Sequence, residues 1–404
     1  MNIAVSIGGL AFLILIHEAG HFFVALAVRM RPRRFYIFFP PALVKKERNG
    51  IEYGIGAIPL GGYVKIPGMH KPAARDVTSY FAAAVEERPE LAAITDVLRS
   101  RLEEENWEEA RAELERLEQA LTHAELSDSA RNAAERGVRE IDDALSSDAY
   151  WRAPVWKRVA VILAGPGTNL VFALAALALV FALGVPVATQ VAEVTENSPA
   201  SSGGLRPGDE ILAINGEPVS PVLTEQLPTR IAGSDGEPMT IQIRRGGETL
   251  TLGPVSARLD EGVYRVGIRL RAEEKTFGPW ESVELAAREA WAITAETGKV
   301  LGRIFTGGGR DEVSSPVGIV RGSAEAVDVG FDVYLRILAL ISLSLALLNL
   351  LPLLPLDGGH IAFSLAEGIR GRAIPREAYE RASAIGIVLV LFLFFIGLNN
   401  DLGG

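Results

Sequence analysis

Residues 3–28 read IAVSIGGLAFLILIHEAGHFFVALAV. The run is long enough to cross a bilayer as one helix, which takes about 20 apolar residues. It nevertheless carries His17, Glu18 and His21 close together. Residues four apart share a helix face, so His17 and His21 can bind one metal with Glu18 beside it. This is the HExxH arrangement, in which two histidines hold zinc and the glutamate takes a proton from water. Gly20 opens space next to the pair. The plain alternative is two satisfied core histidines. Inside hydrocarbon that alternative is costly, because buried ionisable groups there need partners and mark functional sites. The run is not read as a signal peptide: no basic residue precedes it and no small-residue cleavage pattern closes it.

Three more stretches read as spans, from about Val159 to Leu183, Ile337 to Leu354 and Ala382 to Leu398. Lys and Arg in short loops set the orientation. Arg29, Arg31, Arg33, Arg34, Lys45, Lys46 and Arg48 follow the first span, and Arg152, Lys157 and Arg158 precede the second. Arg370, Arg372, Arg376 and Arg381 lie between the third and fourth. These loops read as cytoplasmic, which puts both termini and the large loop 185–333 on the other side.

The whole chain has 404 residues, 49% hydrophobic and 22% charged, with a net charge of −10 and a mean hydropathy of +0.22. High hydropathy beside abundant charge means that the two are segregated. Residues 72–150 hold 20 acidic and 9 basic residues, a net of −11, and the remainder is nearly neutral. The absence of cysteine excludes disulfides, thiolate zinc sites and cysteine nucleophiles. The acidic balance speaks against a nucleic-acid partner.

Between the spans, residues 51–68 are too short and Gly-rich to cross. Alternation at Ile51, Tyr53 and Ile55, then at Tyr63, Val64 and Ile66, predicts two strands joined at Pro59-Leu60-Gly61-Gly62, a hairpin dipping into the membrane face. Leu91, Ile94, Leu98 and Leu102, then Trp107, Ala110, Leu114, Leu117 and Leu121, recur at helical steps. They make 72–150 a helical hairpin or bundle with an acidic solvated surface. Residues 187–271 read as a mostly β domain punctuated by Pro207-Gly208-Asp209, Asn215-Gly216 and Gly246-Gly247, and 272–333 as amphipathic helix.

Tetrahedral zinc takes a third protein ligand and leaves a position for water. The candidate is the stretch Asn349-Leu-Leu-Pro352-Leu-Leu-Pro355-Leu356-Asp357-Gly358-Gly359-His360. The prolines break the third span, which leaves Asp357 on irregular backbone at membrane depth. Such backbone is tolerated only where it faces protein or a cavity. Asp357 is therefore expected as the third ligand. The alternatives are an N-cap role for Asp357 and His360 as a competing ligand.

HEAGH in the first span with NLLPLLPLDGGH in a later one resembles the site-2 protease family of intramembrane zinc metalloproteases. Leu163-Ala-Gly165-Pro166-Gly-Thr168-Asn169 resembles its Gly-Pro-x-x-Asn signature, Gly56 to Val64 its membrane-associated β-hairpin, and Ser315-Pro316-Val317-Gly318-Ile319 a segment preceding the third span in bacterial members. The resemblance covers residues 1–71 and 150–398. It implies that His17, His21 and Asp357 ligate zinc and that Glu18 is the catalytic base. It implies further that Asn349 lies near substrate, that Asn169 packs near the site, and that Gly61, Gly62 and Tyr63 of the hairpin hold substrate as an added strand. Ser198-Pro199-Ala200 through Gly204-Leu205-Arg206-Pro207-Gly208-Asp209-Glu210-Ile211 to Asn215-Gly216 resembles a PDZ domain, a module that captures peptides or C-terminal tails at a sheet edge. In this family it can equally act as a size filter. The acidic insertion has no counterpart in the family pattern.

The expected architecture is a polytopic α-helical membrane protein. It has four transmembrane helices, a membrane-associated β-hairpin, an inserted extracytoplasmic mainly-β PDZ-like domain and a cytoplasmic helical insertion. Its segments are 1–71, the insertion 72–150, the second span 151–186, the PDZ-like domain 187–271, the linker 272–333 and the last two spans 334–404. The resemblance implies an enzyme of the bacterial plasma (inner) membrane that uses Zn2+ to cleave transmembrane segments of single-span proteins. Anti-sigma factors and signal-peptide remnants are the expected substrates. A catalytically silent membrane adaptor is the alternative, and intact HEAGH and LDG speak against it. A metal transporter is disfavoured because no chain of polar residues runs through the spans.

Overall fold

The computed structural model describes residues 2–58, 61–219, 226–260, 262–305 and 315–402. The chain divides into two compact units, residues 1–176 with 290–404, and residues 177–289.

Among the described residues, four helices are long and apolar enough to cross a membrane: α1 (Asn2–Ala27), α6 (Val155–Leu183), α11 (Phe331–Asn349) and α13 (Arg376–Leu402). The third differs from the sequence expectation. It begins before Ile337 and ends at Asn349 rather than Leu354, because residues before a proline are pushed out of helical geometry and Pro352 and Pro355 follow. The chain re-enters helix at Asp357, the first residue of α12 (Asp357–Arg370). α1 and α11 are tied by the Tyr334 hydroxyl, which donates to the Val5 carbonyl at 2.9 Å. α10 (Pro316–Val329) lies against α1 through Ser6, whose hydroxyl donates to the Val320 carbonyl at 3.1 Å. The amide of Ser315 donates to the Asp401 carboxylate at 2.6 Å, and Gly318 N donates to the same oxygen at 3.2 Å, so the last transmembrane helix caps the start of α10.

The segment after α1 is a four-stranded sheet rather than a hairpin. β1 (Arg34–Ile37), β2 (Phe39–Arg48), β3 (Ile51–Ile58) and β4 (Tyr63–Lys65) lie in the order β2-β3-β1-β4. The two expected strands, β3 and β4, do not pair with each other. β1 separates them, parallel to β3 and antiparallel to β4. The hairpin is β2–β3. β2 carries Pro40 and Pro41, which lack ladder donors and fit only an edge strand, and β2 is the sheet edge. The expected turn residues Pro59 and Leu60 lie outside the described residues. Phe22 of α1 packs on the sheet, its ring 4.9 Å from Phe35 and 6.0 Å from Tyr53.

Residues 74–145 form four helices, α2 (Ala74–Glu87), α3 (Ala92–Glu103), α4 (Trp107–His123) and α5 (Asp128–Leu145). Three of the four starts, those of α2, α4 and α5, are satisfied by a side chain. Asp76 accepts the Ala73 amide at 2.9 Å, Asn106 caps α4 through Glu109 N at 3.3 Å, and Ser127 caps α5 through Ala130 N at 3.2 Å. The helices close on Phe81, Leu98, Leu114, Leu117 and Ile141, the apolar face that the 3.6-residue periodicity requires. The insertion is not free-standing. Lys65 of β4 pairs with Glu140 and Asp143 at 2.8 Å each, and Arg33 pairs with Asp143 at 2.8 Å and Asp148 at 3.1 Å. On the other side Arg75 pairs with Glu377 and Glu380 of α13 at 2.6 Å each, and Arg376 pairs with Asp76. Burial lowers the Lys65 pKa, but Asp143 and Glu140 outweigh it and hold it above the ordinary lysine value. Asp143 serves two cations from a nearly buried position. Asp143→Ala should therefore lower stability by about 2 kcal/mol, the scale of a hydrogen bond to a charged group. The readout is an earlier thermal midpoint and faster proteolysis within 72–150.

The second unit is built on a sheet with β5 (Val185–Val194), β6 (Glu210–Ile214), β8 (Pro238–Arg245), β9 (Glu248–Ser256) and β12 (Ile268–Lys275) in the order β12-β5-β6-β8-β9. Strand β7 (Glu217–Pro218) adds to β6, and β10 (Arg258–Asp260) pairs with β11 (Val263–Arg265). Two short helices, α7 (Pro199–Ser202) and α8 (Gln226–Ala232), accompany the sheet, and α9 (Pro279–Phe305) leaves it. Its core holds Ile211, Leu227, Met239, Ile241 and Ile243. Buried Asp209 accepts from Arg245 at 2.6 and 2.7 Å and from the Arg206 amide at 2.8 Å. Burial pushes its carboxyl up, but these donors hold it below the usual carboxylate range.

Candidate metal centre

Three side chains from distant parts of the sequence converge inside the first unit. His17 and His21 come from one face of α1, and Asp357 comes from the first turn of α12. Asp357 Oδ2 lies 3.1 Å from His17 Nε2 and 3.4 Å from His21 Nε2, and the two Nε2 atoms are 3.2 Å apart. Three lone-pair donors thus form a near-equilateral triangle. Ligands held about 2.0–2.1 Å from one tetrahedral metal stand about 3.3 Å from each other, so the triangle has the size that zinc requires. Asp357 Oδ2 is buried and makes no hydrogen bond among the described residues. A buried carboxylate oxygen without a partner is costly, and a cation at the centre of the triangle removes the cost. Two nitrogens and one carboxylate oxygen suit zinc by donor chemistry.

The triangle depends on close backbone approach. At Gly165 in α6, a Cβ would overlap the His21 ring and stand 2.9 Å from His17 Nε2. At Gly20 a Cβ would overlap the Ala164 carbonyl oxygen. The Thr168 hydroxyl donates to the Ile16 carbonyl at 2.9 Å and to the Gly165 carbonyl at 2.8 Å, which locks α6 onto α1. Past the proline break, Cβ atoms at Gly358 and Gly359 would strike the backbone at Leu350, Leu351, Leu353 and Leu354. These two glycines let α12 fold back against the end of α11 and deliver Asp357.

Glu18 points to the sheet. Its carboxylate faces the Val64 backbone of β4. A Cβ at Gly62 would overlap Glu18 Cγ and stand 3.1 Å from Oε1. Lys65 directs its carbonyl at the Arg33 amide (2.7 Å). Backbone groups alternate in direction along a strand, so those of Val64 face away from β1, toward Glu18. Of the other hairpin residues, Tyr63 lies beside Tyr36, with ring centroids 6.3 Å apart, and a Cβ at Gly61 would meet the Phe39 ring.

Asn169, fully buried on α6, places its amide nitrogen 3.5 Å from His17 Nδ1. Asn349 closes α11, and its amide donates to the Leu345 carbonyl of the same helix at 3.0 Å. His360 is not among the converging donors, and its ring stacks near Tyr379 at 6.4 Å. The sequence expectation did not include Val161, whose carbonyl accepts from His21 Nδ1 at 2.8 Å, nor Ser342, which donates to the Asn169 carbonyl at 2.9 Å. A backbone acceptor leaves no mark on a sequence. The mark Ser342 leaves on the sequence is that of a polar residue in an apolar span.

A two-histidine, one-carboxylate triangle with a glutamate next to a ligand, set among membrane-length helices, defines a zinc hydrolase of the membrane interior. Residues 5–393 match Peptidase family M50, and the chain belongs to that family, the site-2 proteases. It is 29% identical over 410 residues to a protein of Agrobacterium fabrum named as a zinc metalloprotease, covering 97% of this chain and 93% of the relative. It is 27% identical over 468 residues to the regulator of sigma-E protease RseP of Salmonella typhimurium, covering 99% and 98%. It is 29% identical over 411 residues to the zinc metalloprotease RasP of Shouchella clausii, covering 96% of each. The chain is a zinc metalloprotease of the membrane.

Proposed function

We propose that the enzyme hydrolyses peptide bonds within the transmembrane segments of single-span proteins, with His17, His21 and Asp357 as zinc ligands and Glu18 as general base. The observation that carries the reading is the ligand triangle, with edges of 3.1, 3.2 and 3.4 Å, beside Glu18. Bound zinc supplies a Lewis acid that polarises the scissile carbonyl and acidifies water. Glu18 takes the proton of the attacking water and returns it to the departing amine. β4 offers its outward backbone to an extended substrate segment as an added strand, at Gly61, Gly62 and Tyr63, with Asn349 near the substrate. A helix protects its own amides, so the substrate unwinds before it is cut. The surrounding helices exclude bulk water from the reaction.

The proposed setting is the bacterial inner membrane, with residues 72–150 cytoplasmic and the β-rich unit a PDZ-like domain outside. That domain either screens substrates by bulk, admitting those already trimmed on the outer side, or captures a peptide tail. Substrates of this kind include membrane-bound anti-sigma factors and signal-peptide remnants. Support comes from the basic loops next to the spans, the Gly204–Asp209 segment and the family relatives.

Asp357→Ala tests the reading. The purified variant should retain less than a tenth of the wild-type zinc by elemental analysis and should not cleave a transmembrane reporter. A variant with wild-type zinc and cleavage would overturn the ligand assignment.

A further inference from the structure

We propose that Asn169 is a positioning residue that holds His17 for the metal by accepting the proton of its Nδ1, an inference that rests on the ligand assignment above. His17 presents Nε2 to the triangle. An imidazole that binds a metal through the Nε2 lone pair must carry its proton on Nδ1, and that N–H needs an acceptor. His21 has one, because its Nδ1 donates to the Val161 carbonyl at 2.8 Å. For His17 the facing group is the Asn169 side-chain amide, at 3.5 Å. As placed, the amide turns its nitrogen to Nδ1, which sets a donor against a donor, while its Oδ1 is buried and has no hydrogen-bond partner among the described residues. The two ends of an amide are nearly the same shape, and their assignment follows the hydrogen-bond network. Turning the amide by half a rotation brings Oδ1 onto the Nδ1 proton and removes both faults. Asn169 is fully buried, and its backbone carbonyl is fixed by the Ser342 hydroxyl, so the amide is held in place to do this. Both histidines are thereby oriented from α6, one by a main-chain carbonyl and one by a side-chain carbonyl.

The test is the zinc dissociation constant, measured by chelator competition on the purified full chain and its variants. N169L should bind zinc about 10–100-fold more weakly, the range for losing such a partner. N169D keeps the acceptor in the same shape and should bind as tightly as wild type or more tightly. Wild-type affinity in N169L would overturn the proposal. So would an N169D weakened as much as N169L, since Asn169 would then serve by packing or by donation. If N169L does not fold, N169D decides alone: affinity at or above wild type supports the acceptor role, and a loss of tenfold or more overturns it. Asp357→Ala, run in parallel, separates the two levels. If it keeps zinc, the ligand assignment fails. If it loses zinc while N169L does not, only the role of Asn169 fails.

Discussion

Glu18→Gln retains its full zinc content and loses at least 100-fold in the turnover of a transmembrane reporter. Glutamine has the volume of glutamate and fills the same space against Gly62, so α1 and the segment leading into β4 keep their contact. Glu18 is not part of the donor triangle, so metal affinity is left in place. The variant loses the ability to take a proton from water, and removing a positioned general base costs about 10²–10⁴-fold. Elemental analysis and a cleavage assay on the same sample read the two effects separately. Turnover within tenfold of wild type would remove Glu18 from the reaction. Loss of zinc together with activity would show that the substitution disturbed the ligands instead.

Gly62→Ala should fall nearly as far by a different route. Gly62 is not among the glycines with positive φ, so its main chain is not in the left-handed region that penalises alanine. Its Cβ, however, would occupy the space of Glu18 Cγ. Either β4 or the glutamate must move by about 1 Å, and a displacement of that size near reacting groups costs about 100-fold. Zinc content should be unchanged and the thermal midpoint nearly so. Gly61→Ala is the internal comparison. Its Cβ meets the Phe39 ring, 2.7 Å from Cε2, at an exposed side chain that can turn aside, and its loss should stay below tenfold. Equal activity of G62A and wild type would mean that β4 does not seat the base.

Much of this molecule can be read without coordinates. The spans show because hydrocarbon demands a long unbroken apolar run. His17, Glu18 and His21 show because their spacing puts them on adjoining positions of one helix, and Asp357 because two prolines break the span just before it, where a lone carboxylate is costly, although the chain is already helical again at Asp357. The sheet was harder. β1 and β2 contain Arg34, Pro40, Pro41 and Lys45, which mask strand periodicity. The insertion of β1 between β3 and β4 is a long-range pairing that local alternation does not encode. The glycines around the site were visible as letters, but the roles of Gly62 and Gly165 depend on which neighbouring atoms come within a Cβ of them. The acidic insertion was legible as helices with a charged surface. Its attachment was not, because pairing Asp143 with Lys65 and Arg33, and Arg75 with Glu377, requires knowing which loops meet.

The three converging donors sit at opposite ends of the chain, two in the second half of α1 and one at the start of α12, just before the last membrane-length helix. A protein inserted into the bilayer from its N-terminus therefore has no complete metal site until almost all of it has been synthesised. During that interval the HEAGH helix stands in the membrane with its glutamate beside two histidines and cannot form the working centre. On the proposed ligand assignment, a truncated chain that ends before α12 lacks Asp357 and is expected to bind no catalytic zinc.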